Sequence, residues 1–243
     1  MKAKAKTWAL IAFSFTAGQA PLSAIAEPAR VDQLEFLDIE KGEAELESQT
    51  VWASETEDSE AGFMTGLTFE YGLSGRLAVG IEAEFKRPNG DVISLETFSI
   101  QAKWVAVDAE SAPLGFGIQF SLAVDPETGD IGSETFLIAA AQREMWRAAG
   151  NLVIEAEPGD WSSPSVGYAV RADKQLSGNV WAGLEAGGGL YGEGKGSYWL
   201  GPVFILGTAG MSHGLPGIEL SAFAGLTQQT PDFQTRIELS WEF

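Results

Sequence analysis

The sequence predicts an all-β chain, a closed, antiparallel, up-and-down transmembrane β-barrel of about twelve strands. Three observations carry this. Runs of roughly ten residues alternate apolar and polar side chains from Gly42 to Phe243. Short clusters of turn formers separate the runs. A basic, then apolar, then small-residue segment precedes them, as in a secretory leader.

In that leader, Lys2, Lys4 and Lys6 form the basic start and Trp8 to Thr16 (WALIAFSFT) the apolar centre. Ala24-Ile25-Ala26 supplies a small-x-small cleavage pattern. Residues 1–26 are therefore expected to be a removed signal peptide, too short and wrongly flanked for a spanning helix. The chain has no cysteine, which excludes a lipoprotein anchor at the cut and any disulfide after export. Formal net charge is −19, from 15 bases and 34 acids, and loss of the three leader lysines leaves 12 against 34, or −22. So acidic a chain does not bind nucleic acid through phosphates. Residues 27–41 (EPARVDQLEFLDIEK) are expected as a short periplasmic segment and 42–243 as the barrel. No stretch after Ala26 has the roughly 18 consecutive apolar residues of a membrane helix.

The strands follow in order. Strand 42–52 sets Ala44, Leu46 and Trp52 against Glu43, Glu45 and Glu47. Strand 61–71 sets Phe63, Leu67, Phe69 and Tyr71 against Thr68 and Glu70, and 75–86 sets Leu77, Val79, Ile81 and Phe85 against Glu82, Glu84 and Lys86. Strand 94–106 sets Phe98, Ile100 and Trp104 against Thr97, Ser99, Gln101 and Lys103, and 114–124 alternates Leu114 to Val124 with Gly115, Gly117, Gln119 and Ser121. Weaker strands at 134–142 and 149–157 flank REMWRAA, whose propensity fits a helical turn. The pattern recovers at 164–173 (Val166, Tyr168, Val170 against Arg171, Asp173) and 178–189 (Val180, Ala182, Leu184 against Glu185, Gly187). Strand 196–208 carries Trp199, Val203 and Ile205, with an irregularity expected at Pro202. Strand 215–226 sets Ile218, Leu220, Ala222 and Ala224 against Glu219 and Ser221. Strand 232–243 splits cleanly: Phe233, Thr235, Ile237, Leu239, Trp241 and Phe243 against Gln234, Arg236, Glu238, Ser240 and Glu242.

Alternation alone does not separate a soluble sandwich from a membrane barrel, because each has one apolar and one polar face. Four features favour the membrane. About eleven residues at about 3.3 Å each, tilted by about 45°, span the apolar band of a bilayer. An even strand number suits a bacterial single-chain barrel. Trp52, Tyr71, Phe85, Trp104, Trp181, Trp199, Trp241 and Phe243 sit near strand ends, where interfacial girdles place aromatic rings. The last strand alternates without a break and closes on an aromatic residue.

That last strand, through Ile237, Leu239, Trp241 and Phe243, resembles the C-terminal assembly signal of bacterial outer-membrane barrels. The resemblance implies recognition by periplasmic chaperones and the barrel-assembly machinery, and residence among outer-membrane lipids and lipopolysaccharide. Residues 69–85 (FEYGLSGRLAVGIEAEF) and 165–188 (SVGYAVRADKQLSGNVWAGLEAGG), with Gly201-Pro202-Val203, also resemble a proteobacterial outer-membrane transporter family linked to phenol meta-pathway degradation. That family supplies no functional residues to carry over.

With the last strand ending in the periplasm, 53–60, 87–93, 125–133, 158–163, 190–195 and 227–231 face outside, and the turns at 72–75 and 174–177 face the periplasm. The outer loops carry Glu55, Glu57, Asp58, Glu60, Asp91, Asp125, Glu127, Asp130, Asp160 and Glu193, which beside lipopolysaccharide would need bridging divalent cations. The first and last strands must pair, because open sheet edges do not survive in lipid. That pairing predicts a contact of Glu45 or Glu47 with Arg236.

The lumen-lining candidates are Glu45, Glu47, Glu70, Glu82, Glu84, Lys103, Arg171, Glu185, Arg236 and Glu238, together with Glu43, Lys86 and Glu219. Two readings fit them. One is a water-filled, acidic lumen favouring cations, in a passive channel or small-molecule transporter. The other is a set of salt bridges filling a narrow, non-conducting structural or interaction barrel. No metal site or cofactor is expected: the 125–130 loop lacks the spacing and closing Glu of an EF-hand, and the Gly-rich stretches at 187–189 and 191–196 have no strand-loop-helix context. No enzyme is expected either. His213 is the sole histidine, and its neighbour Ser212 would point to the opposite face of a strand.

Overall fold

The computed structural model describes residues 34–37, 39–55, 61–88, 93–109, 111–192, 194–207 and 216–243. The described chain contains β1 (Ala44–Ala53), β2 (Gly62–Ser74), β3 (Leu77–Pro88), β4 (Ser94–Val107), β5 (Gly115–Val124), β6 (Ile131–Arg143), β7 (Trp146–Glu157), β8 (Asp160–Ser177), β9 (Val180–Tyr191), β10 (Tyr198–Leu206), β11 (Gly217–Gly225) and β12 (Phe233–Glu242). Each strand pairs antiparallel with its neighbours in the sequence, and β1 pairs with β12, so the twelve strands close into a barrel. Closure satisfies the backbone donors and acceptors that lipid cannot. The seam runs from Glu45 opposite Glu242 to Ala53 opposite Gln234.

The sidedness is the inverse of a soluble barrel. Apolar side chains at alternate positions stand on the outside, with Ile100 54%, Phe204 53% and Leu184 60% exposed. The intervening Glu, Arg, Gln and Ser side chains are buried within. Such an outer surface is stable only in contact with lipid chains, so the chain is an outer-membrane β-barrel.

Two local expectations change. REMWRAA is not helical: Glu144 and Met145 form a two-residue turn between β6 and β7, with Glu144 at φ 45°, and ladder pairing resumes at once from Arg143 opposite Trp146. Helix propensity is a weak prior that a paired ladder on both sides overrides. Trp181 and Trp199 are not girdle residues. They face inward, with Val203 and Ile205, and are almost fully buried. Both faces of β10 are apolar, so its alternation carries no sign of which face meets lipid. The ladder of β10 with β11 does skip Gly201 and Pro202, as Pro202 requires, while keeping register.

The expected segment 27–41 is described from Leu34 onward. Leu34, Glu35, Phe36 and Leu37 are buried and pack inside the barrel. Gly42 then turns the chain into β1, with its amide donating to the Gly72 carbonyl.

Candidate functional site

The inward side chains define the site. Because inward positions recur every second residue, Arg171 and Asp173 share one face of β8. The Arg171 Nε donates to Asp173 at 2.9 Å, and Asp173 also accepts from the Arg147 Nε of β7 at 2.8 Å. Arg171 then reaches across the lumen to Glu219 of β11, with Nη1 3.0 Å from Oε1 and Nη2 2.8 Å from Oε2. Arg236 of β12 makes two parallel bonds to Glu185 of β9, at 3.0 and 2.7 Å, and a third to Glu219 at 2.6 Å. Strands that are not neighbours in the sheet can meet this way only through the interior. The side chains of Arg171, Asp173, Glu185, Glu219 and Arg236 are sealed from solvent. Room for the knot comes from Gly183, paired with Asp173 across β8 and β9, where a Cβ would overlap the Asp173 carboxylate.

The expected contact of Glu45 or Glu47 with Arg236 gives way to these bonds. Register sets Val51, not a glutamate, opposite Arg236, and Glu47 opposite Ser240. Arg236 reaches the acids of β9 and β11 instead.

A second cluster centres on Lys103 of β4. Its Nζ lies 3.1 Å from Glu35 and 3.5 Å from Glu70. The Gln119 amide donates to Glu35 at 3.2 Å and to Gln101 at 3.3 Å. On the wall of β1 to β3, Glu82 accepts from Ser99 at 3.1 Å and Glu84 from Thr97 at 3.0 Å. Gln49 reaches Glu238 at 3.5 Å. Glu47 is 1% exposed, and neither of its carboxylate oxygens has a hydrogen-bond partner.

All ten lumen candidates, Glu45, Glu47, Glu70, Glu82, Glu84, Lys103, Arg171, Glu185, Arg236 and Glu238, are thus buried. Glu43 and Lys86 are only partly so. Sequence reasoning missed Arg147, Glu134, Glu155 and Glu35. Arg147 lies within the stretch read as a helical turn, and Glu134 and Glu155 fall in the two weak strands beside it. Glu35 stands in a segment with no strand alternation to place it. Among the described residues, twelve acids and four bases are buried.

In the strand named for assembly, Ile237 and Phe243 are exposed and Leu239 and Trp241 partly so. The 125–130 loop closes on itself: Asp125 accepts from the Glu127 amide at 2.7 Å and the Thr128 hydroxyl at 2.9 Å. Slight burial raises the Asp125 pKa, but these bonds outweigh it and hold the carboxyl below its usual range. Among the described residues no group of three or more His, Cys, Asp or Glu is placed to hold a metal. Ser212, His213, Glu57, Asp58, Glu60, Asp91 and Glu193 lie outside the described residues.

Fold comparison gives the same architecture. The chain is similar to the KdgM porin, with a TM-score of 0.57 at 10% identity over 82% of this chain and 98% of that one. The KdgM porin in complex with disordered oligogalacturonate gives 0.55 over the same shares, also at 10% identity. At that identity the likeness is one of fold. No family model matches the chain, and no curated protein matches it.

Proposed function

We propose that this chain is an outer-membrane channel or small-molecule transporter whose acidic lumen favours cations. The observation that carries the reading is the excess of buried acids, twelve against four bases among the described residues. Wall charge of one sign sets pore selectivity. In this reading Glu45, Glu47, Glu70, Glu82, Glu84 and Glu238 set the field, and Lys103, Arg171, Glu185 and Arg236 shape the path. The porin-like fold supports transport, and so does the hairpin resemblance to the phenol meta-pathway transporter family. The second reading, a non-conducting structural or interaction barrel with cation-bridged acidic loops, is favoured by the sealed Arg–Glu knot. Refolded protein in a planar bilayer under a KCl gradient separates them. Current steps with a cation-selective reversal potential support the channel, and silence supports the structural barrel. Neither reading contains catalysis, and a hydrolase activity lost in His213→Ala would overturn both.

The same reading takes residues 1–26 as the export leader and Ile237, Leu239, Trp241 and Phe243 as the assembly signal. Deleting Phe243 is expected to impair outer-membrane insertion while export continues. Normal insertion of that truncation would remove the assembly role.

A further inference from the structure

The stretch Leu34–Leu37 lies inside the lumen on a seat shaped for it. Glu35 takes the Lys103 ammonium at 3.1 Å and the Gln119 amide at 3.2 Å. The Phe36 ring receives two guanidinium groups, Arg147 at 4.8 Å and Arg171 at 5.5 Å from its centroid. Leu37 packs with Val105, Phe136 and Ile138. The wall is cleared for the stretch: a Cβ on Gly117 would overlap a Leu37 methyl, and one on Gly72 would overlap the Glu40 carbonyl. A water-filled lumen has no use for inward Phe136, Ile138, Val153 and Trp181, whose exposure to water is unfavourable. Something apolar must cover them, and here the N-terminal stretch does.

The wall charges do not depend on this occupant. Lys103 also has Glu70 at 3.5 Å, and Arg147 and Arg171 both hold Asp173. Withdrawal of the stretch therefore leaves paired charges beside an apolar surface. Gly42, at φ 83° with open space around it, stands between the stretch and β1 and can serve as its hinge.

We propose that Leu34–Leu37 is a built-in, displaceable occupant of a ligand site in the lumen. The site takes a small uncharged molecule with an apolar, ring-sized body and one hydrogen-bond-accepting oxygen. The oxygen replaces the Glu35 carboxylate at Lys103 and Gln119, and the ring replaces Phe36 against the two guanidinium groups. An uncharged guest is favoured because Lys103, Arg147 and Arg171 keep their own carboxylate partners, and the excess of buried acids repels free anions. The inference rests on the lumen being a solute path.

The chain has no cysteine, so a single reporter thiol can be placed in the full-length protein. Leu34→Cys, sealed in the lumen, is expected to react with a membrane-impermeant maleimide at least tenfold more slowly than Glu55→Cys on an exposed loop. Addition of 3-phenyl-1-propanol is expected to close that gap, and glycerol, which has hydroxyls without the ring, to leave it unchanged. Gly117→Val, or Gly117→Ala if the larger residue prevents folding, should speed labelling of Leu34→Cys without any solute. Equal labelling of the two thiols in the unliganded protein would overturn the seat. A slow thiol indifferent to phenylpropanol, or responding equally to glycerol, would overturn the ligand site. Labelling reads the seat whether or not current flows, so silence in the bilayer defeats the channel reading separately.

Discussion

The wall of β7–β9, β11 and β12 and the wall of β1–β3 both line the barrel with carboxylates and treat them in opposite ways. On the first, Asp173, Glu185 and Glu219 share three arginines, Arg147, Arg171 and Arg236, and two of the pairs, Arg171–Glu219 and Arg236–Glu185, join strands that are not neighbours. On the second, Glu82 and Glu84 rest on the hydroxyls of Ser99 and Thr97, and Glu47 has no hydrogen-bond partner for either oxygen. The first wall is a set of cross-braces that fixes the spacing of opposite strands. The second is a charged lining. The same residue type braces opposite strands where Arg171 and Arg236 tie it across the lumen, and lines the wall where it rests on neighbouring hydroxyls.

The largest test of this contrast removes a brace. Arg236→Leu deprives Glu185 of its two short bonds and is expected to lower barrel stability by about 3–5 kcal/mol, the usual loss when one partner of a buried pair is removed. Urea unfolding in lipid vesicles, followed by heat-modifiable gel migration, would measure it. A loss of less than about 1 kcal/mol, as for an exposed pair, would end the bracing argument. Gly183→Ala presses a methyl group onto the Asp173 carboxylate, and overpacking of that kind costs about 1–3 kcal/mol. The same unfolding assay reads it, and an unchanged midpoint would mean that the knot yields freely. Glu47→Gln, on the other wall, keeps shape and removes charge. Its stability is expected to hold or rise, because the change removes a buried carboxylate that no hydrogen bond satisfies, while the reversal potential moves toward zero. A large destabilisation there would erase the distinction between the walls.

A carboxylate outside both walls supplies the baseline. The Asp125 pKa is lowered in the folded loop, so its contribution is present above the unfolded value of about 3.9 and is lost as pH falls through the lower folded value. Asp125→Asn should flatten the acid limb of the pH profile and lower thermal stability at neutral pH by the same small amount, since that is where the ionised carboxylate contributes. A change at neutral pH as large as that of Arg236→Leu would contradict this ranking.

Most of the fold was legible because a strand between lipid and lumen must alternate. Residues 232–243 split into the two faces that β12 shows, and the ten lumen candidates are all buried. What escaped was whatever alternation does not encode. Arg147 was hidden in a stretch with helical propensity that two flanking ladders override. Trp199 was placed in the girdle, and Val203 and Ile205 were given no face, because β10 is apolar on both sides. Glu35 belongs to no strand, and its place depends on Lys103 and Gln119, far away in the chain.

By itself, then, the sequence determined the strands, the faces of most of them, the even count and the acidic balance, since these follow from local periodicity and composition. Only the tertiary structure decided which charges pair, that Arg236 meets Glu185 rather than Glu47, and that Leu34–Leu37 occupy the lumen. The physical reason is closure. Curling twelve strands into a ring brings together side chains from distant strands, and no local pattern records which of them will meet.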